Sequence, residues 1–216
     1  MDIPFTTKEF FEVIQLYNVG LFPAQLIIFI LGIIALVFVH RKSKSGSKFI
    51  SVFLGVLWVW IGTAYHLAFF TSINNAAWGF GSLFILQGVL FLFEGLHKKR
   101  LDFAFKGKSW EYIGYFFIVF GLFLYPVIIY FFKGSIELTI TLGLPCPSTI
   151  LTFGFLMITT RSFPKYLLIV PTLWAIIGTG AALRFQVYPD YLMLLAAIVA
   201  DFYLIRRRRE KKTIAA

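Results

Sequence analysis

The sequence predicts an all-α fold: a polytopic transmembrane helical bundle of seven spans, the fifth short or broken, N-terminus outside and C-terminus inside. Three observations lead there. The 216-residue chain is 59% hydrophobic and 14% charged, against about 25% charged in a soluble domain. Its apolar runs approach or exceed the roughly 20 residues that a bilayer-crossing helix needs. Its twenty Lys and Arg are unevenly placed. With seven crossings, seventeen fall on one side and only Lys8, Lys133 and Arg184 on the other. Positive charge gathers on the cytoplasmic side, so the basic side is inside.

Residues 1–20 form an N-terminal amphipathic, interfacial segment. Thr6 and Glu9 are spaced as a capping box, and Phe5 and Phe10 as a hydrophobic staple. Phe10, Val13, Ile14 and Tyr17 then share one face of a short helix lying on the membrane surface, ended by Asn18 and Gly20. The transmembrane bundle follows over residues 21–205. Span one covers 21–39, with Pro23 in its first turn, where a missing N–H is harmless. Spans two, three and four cover 49–70, 76–96 and 112–132, the last with a kink predicted at Tyr125-Pro126.

The stretch 136–144 is rich in β-branched residues and runs into Pro145-Cys146-Pro147. The apolar helix after it, 148–160, is too short at about 1.5 Å per residue for a core about 30 Å thick. Either 136–144 enters the membrane as a broken half, or neighbours shield the short helix. Without it the tail would lie outside and the charge bias would be damaged. Spans six and seven cover 166–183 and 191–205, and residues 206–216 form a basic cytoplasmic tail that meets anionic lipid. Glycines seven residues apart predict close helix contacts: Gly55 and Gly62; Gly81, Gly88 and Gly95; Gly114 and Gly121.

Several chemistries are excluded. The net charge of +10 is dispersed among inter-span loops rather than gathered for nucleic acid. A single cysteine rules out an internal disulfide and an all-cysteine metal cage. The N-terminus lacks the basic region of a cleavable signal peptide. HExxH, GxSxG and Walker motifs are absent, and no lysine lies in span seven for a retinal Schiff base. No catalytic residue, cofactor or metal is assigned.

Ionisable groups inside a membrane mark function by default, which singles out His66. It shares a helix face with Gly55 and Gly62 and points into the bundle. It is either a ligand contact, metal ligand or proton carrier, or a neutral imidazole bonded to a neighbour. Cys146 is read as a helix N-cap, where the dipole favours a thiolate; alternatively it is a small residue at a rigid double-proline turn. The Ser148 and Thr149 hydroxyls add an anion cradle. Gln87 is mid-membrane, either a site residue or interhelical glue. Asn74 with Asn75 and Trp78 could line a mouth. Tyr65, His66, Asn74, Gln87, Gln25, Cys146, Ser148 and Thr149 are the binding candidates, with Thr152 and Thr179 at similar depth. Arg184 and Asp190 flank the last outer loop as a predicted pair, and Glu94 and Asp201 lie beside Lys98 and Arg206 at inner helix ends.

The blocks Ala64-Tyr65-His66-Leu67-Ala68-Phe69-Phe70 with Ile73-Asn74, Gly143-Leu144-Pro145-Cys146-Pro147-Ser148-Thr149-Ile150, Pro171-Thr172-Leu173-Trp174-Ala175-Ile176-Ile177-Gly178 and Phe22-Pro23-Ala24-Gln25 resemble a family of bacterial multi-pass membrane proteins catalogued as a domain of unknown function. The likeness covers nearly the whole chain, departing at Ser148, where threonine is common, and Asn75, where proline is common. It implies a bacterial cytoplasmic (inner) membrane location and no particular reaction. The expected activity is binding or transport of a small solute or ion through an outward-facing intramembrane pocket. A Cys-thiolate or His-metal membrane enzyme, and a structural or assembly subunit, are the alternatives. The lipid bilayer is the expected partner, with a homo-oligomer also open.

Overall fold

The computed structural model describes residues 4–214, with side chains as far as Arg207. The chain is all-helical, and no named strand occurs among the described residues. Helix α1 is Thr7–Gly20. Six further helices are long and apolar enough to cross a membrane. They are α2 (Ala24–Arg41), α3 (Lys44–Ser72), α4 (Ala77–His97), α5 (Ser109–Lys133), α7 (Lys165–Phe185) and α8, which follows a short turn at Tyr188–Asp190 and runs Tyr191–Ile214. Helix α6 (Pro145–Met157) is the short one.

Helix α1 starts as its sequence requires. The Thr6 amide donates to Glu9 Oε2 at 2.7 Å and the Glu9 amide to Thr6 Oγ1 at 3.2 Å, while the Phe5 and Phe10 rings stack at 6.3 Å. It does not lie free on a surface, because Val13, Ile14 and Tyr17 are buried against the bundle. The Tyr17 hydroxyl donates to the Gly143 carbonyl at 2.9 Å and accepts from Trp60 Nε1 at 2.7 Å. The Asn18 amide holds the carbonyls of Glu137 and Thr139, and Lys133 Nζ sits 3.6 Å from the Phe11 ring centre. Residues 134–144 therefore form a coil pinned to α1. Their β-branched side chains build neither a strand nor a broken half-helix.

Of the two readings of α6, shielding by neighbours is the one observed. Every residue of α6 except half-buried Cys146 is buried, between α5, α8 and α7. Glycines set these distances. A Cβ on Gly154 would meet the Gly114 carbonyl oxygen at 2.5 Å, and one on Gly121 the Pro147 carbonyl oxygen at 2.6 Å. The α3–α4 seam is built alike, a Cβ on Gly88 meeting Gly55 O at 2.5 Å and one on Gly62 meeting Gly81 O at 2.7 Å.

The bundle has two unlike ends. One carries α1, the α3–α4 turn, the 134–144 coil and the start of α8. At the other, Asp102 gathers the loops. Its carboxylate accepts from Ser47 Oγ at 2.9 Å and Thr160 Oγ1 at 2.5 Å and faces Arg161 Nε at 3.8 Å. The Thr160 amide donates to its carbonyl at 2.7 Å. Arg207 donates to the carbonyls of Thr159 and Thr160 at 2.6 and 2.8 Å.

Several details correct the sequence reading. Helix α3 begins at Lys44, capped by Ser43, so Lys44 and Lys48 belong to it. Helix α8 runs on to Ile214, so the basic tail continues the helix of the last span; its side chains beyond Arg207 lie outside the described residues. Glu94 pairs with Arg100 at 3.4 Å, not with Lys98, and accepts from Tyr166. Asp201 accepts from Thr172 at 2.7 Å rather than meeting Arg206. At Tyr125-Pro126 the helix widens into a π turn over Phe120–Leu124, because proline supplies no N–H to the preceding turn.

Candidate functional site

The end of α3 is a π segment, Ile61–Leu67, which places Tyr65 and His66. Such widened turns recur at functional sites. His66 is fully buried and neither ring nitrogen has a hydrogen-bond partner. It sits in an aromatic box, with ring centres at 4.7 Å (Phe84), 5.1 Å (Tyr65 and Trp174) and 5.9 Å (Phe70 and Phe80). The neutral-imidazole reading expected a bond to a carbonyl or hydroxyl; rings stand there instead.

Three of the box residues, Tyr65, Phe70 and Trp174, also line a small cavity of about 50 Å³ with Cys146 and Asp190. That is space for a few water-sized atoms. Phe5, Phe10 and Phe185 roof it, the last two stacked at 4.7 Å. Cys146 lies within electrostatic reach of the Asp190 carboxylate and the Trp174 indole. Asp190 is buried and takes a short hydrogen bond from the Tyr125 hydroxyl. Trp174 Nε1 faces the Cys146 thiol and has no well-formed hydrogen bond to a nitrogen or oxygen. The helix begins at Pro145 with Leu144 as its N-cap, so Cys146 belongs to the first turn rather than capping it.

His66 and Cys146 are thus both brought to Trp174, with Tyr65 beside each. The other candidates are placed elsewhere or already engaged. Ser148 Oγ accepts from the Gly143 amide at 3.2 Å, and the Thr149 hydroxyl donates to the Pro145 carbonyl at 2.8 Å. Thr152 donates to the Ser148 carbonyl and accepts from Trp58 Nε1. Gln87 Nε2 donates to the Leu167 carbonyl at 3.0 Å, joining α4 to α7, while its Oε1 has no partner. Asn74 caps the turn before α4 through the Ala76 amide at 3.0 Å. Thr179 bonds back to Ala175. Gln25 donates to the carbonyls of Tyr17 and Asn18 and lines a different, apolar groove between α1, α2 and α5.

Sequence reasoning missed Asp190 and Tyr125 as partners. Asp190 was paired with Arg184, but Arg184 is exposed and no ion pair joins them. The usable signal was the acid itself, at the edge of an apolar span with few charges.

A family model matches residues 7–215; it is DUF6064, a family of unknown function. The chain belongs to this family. No curated protein and no solved structure matches it. Family membership therefore leaves the function of this DUF6064 chain to its geometry. Among the described residues no three His, Cys, Asp or Glu side chains group as a metal site.

Proposed function

We propose that this chain is a seven-crossing protein of the bacterial cytoplasmic membrane, N-terminus outside, that binds and moves a small cation or polar solute through the Cys146–Asp190–Trp174 cavity. Helix α1 roofs the cavity on the outer side. In this reading α6 is the fifth crossing. Support comes from its position: Gly143 before it touches α1, and Thr160 after it touches the Asp102 loop.

The observation that carries the binding role is the meeting of a buried carboxylate, a thiol and the Trp174 indole N–H at one small cavity. Buried polar groups are normally satisfied. Asp190 would take the positive or N–H-bearing part of the solute, with Cys146 and Trp174 orienting it and His66 available once the Trp174 ring turns. A nucleophilic role for Cys146 is less supported, because its charged neighbour is a carboxylate rather than the cation or base that activates a thiol.

The test is the thermal stability of the purified chain in detergent with zinc, manganese, ammonium and methylammonium salts. At least one should raise Tm in the wild type and lose its effect in Asp190→Asn and Cys146→Ser. A wild type that responds to none of them would overturn the reading.

A further inference from the structure

At the basic end, the first turns of α3 and the end of α4 enclose a second pocket of about 450 Å³. It is lined by Lys44, Ser47 and Lys48 from α3, Lys99 after α4, and Asp102 and Arg161 from the loops. Four cations thus face one carboxylate. That carboxylate is already held by Ser47, Thr160 and Arg161. Lys44, Lys48 and Lys99 make no ion pair among the described residues. The Arg161 side chain is 64% exposed and its carboxylate partner is distant at 3.8 Å, leaving most of the guanidinium fork open.

Two features of the backbone support the charge. The N-terminus of α3, a 17-residue α-helical run before its π turn, reaches the wall through Lys44 and Ser47, and its dipole favours a negative group. Lys99, left-handed at φ 52, is the residue that stops α4, and this helix end sets its place on the pocket wall. Arg100 closes that turn, its amide donating to the Glu94 carbonyl at 2.9 Å and its guanidinium meeting the Glu94 carboxylate at 3.4 Å.

We propose that this pocket is a binding site for a phosphate group, gripped by Lys44, Lys48, Lys99 and the Arg161 fork. Both a phospholipid headgroup and a free phosphate carry that chemistry. Basic pockets between membrane helices on the cytoplasmic side suit lipid headgroups, and planar guanidinium suits phosphate oxygens. The site is remote from the Asp190 cavity and does not depend on it.

The experiment measures Tm and binding of the full-length chain with inorganic phosphate, and separately in vesicles of phosphatidylcholine with and without phosphatidylglycerol, with sodium chloride matching ionic strength. Variants are Lys48→Gln/Lys99→Gln, the charge-conserving Lys48→Arg/Lys99→Arg, and a tail variant with Arg208, Arg209, Lys211 and Lys212 changed to Gln. Phosphate or phosphatidylglycerol should raise Tm in the wild type, and whichever does so names the source. The double Gln variant should bind roughly tenfold or more weakly, with unchanged ligand-free Tm because both lysines are exposed. The Arg and tail variants should keep the response. No wild-type response to either source, or a response lost in the tail variant but kept in the double Gln variant, would overturn the proposal.

Discussion

His66 illustrates what one residue can and cannot declare. Its place in an apolar run marks it in the sequence, and its burial follows from the glycine face it shares. Its surroundings were not legible, because Phe80, Phe84 and Trp174 come from helices whose register no local pattern fixes. An unsatisfied buried polar group costs about 1–3 kcal/mol. His66→Phe should therefore hold or raise Tm while abolishing any cation response, whereas a packing-only histidine would leave that response intact. Tyr125 and Asp190 are 65 positions apart, and nothing in either neighbourhood announces the other. Tyr125→Phe leaves the buried carboxylate without its donor and should lower stability by about 1–3 kcal/mol, read as a drop in unfolding free energy that Asp190→Asn partly restores.

At the scale of elements, the glycine spacing was the most informative signal. The seven-residue repeats on α3 and α4 became a seam in which backbones touch. Gly88→Leu should prevent that approach and abolish a folded, monodisperse product. Gly180→Ala, with nothing within 4 Å of the added methyl, should be neutral or stabilising by about 0.5–1 kcal/mol, as expected for glycine in a helix interior, checked by thermal melts side by side. The π turn at Ile61–Leu67 was invisible, since no proline marks it, whereas the one before Pro126 showed in the sequence only as a kink. The Asp102 hub was also missed, its partners coming from the first turns of α3 and the loop after α6. Burial pushes the Asp102 carboxyl up, but hydrogen bonds from Thr160 and Ser47, with the charges of Arg161 and Lys106, outweigh it and hold the group below its ordinary value of 3.8. A lowered folded-state value stabilises above the unfolded value, and that contribution fades as pH falls through the lowered one. Tm should thus decline below about pH 4, and the decline should be shallower in Asp102→Asn across a pH 3–7 melt series.

For the whole molecule, composition and the apolar runs carried the all-helical architecture and its six membrane-length helices. Basic side chains gather at the end built by Asp102, Thr160 and Arg207, and the other end holds α1 and the small cavity beneath it. The short α6 was legible as short; that its neighbours would bury it was not, because shielding belongs to the assembled bundle. The single cysteine lines the cavity, so it reports on the site without background. The most direct measurement is the rate of Cys146 alkylation by a small charged methanethiosulfonate in oriented vesicles, applied to each face. It should be repeated with the zinc, manganese, ammonium and methylammonium salts. Labelling from the α1 face alone, faster in Phe10→Ala and slowed by a salt that raises Tm, is the predicted result. Labelling from the basic face, or a rate that none of these salts changes, would contradict a solute pocket beneath α1.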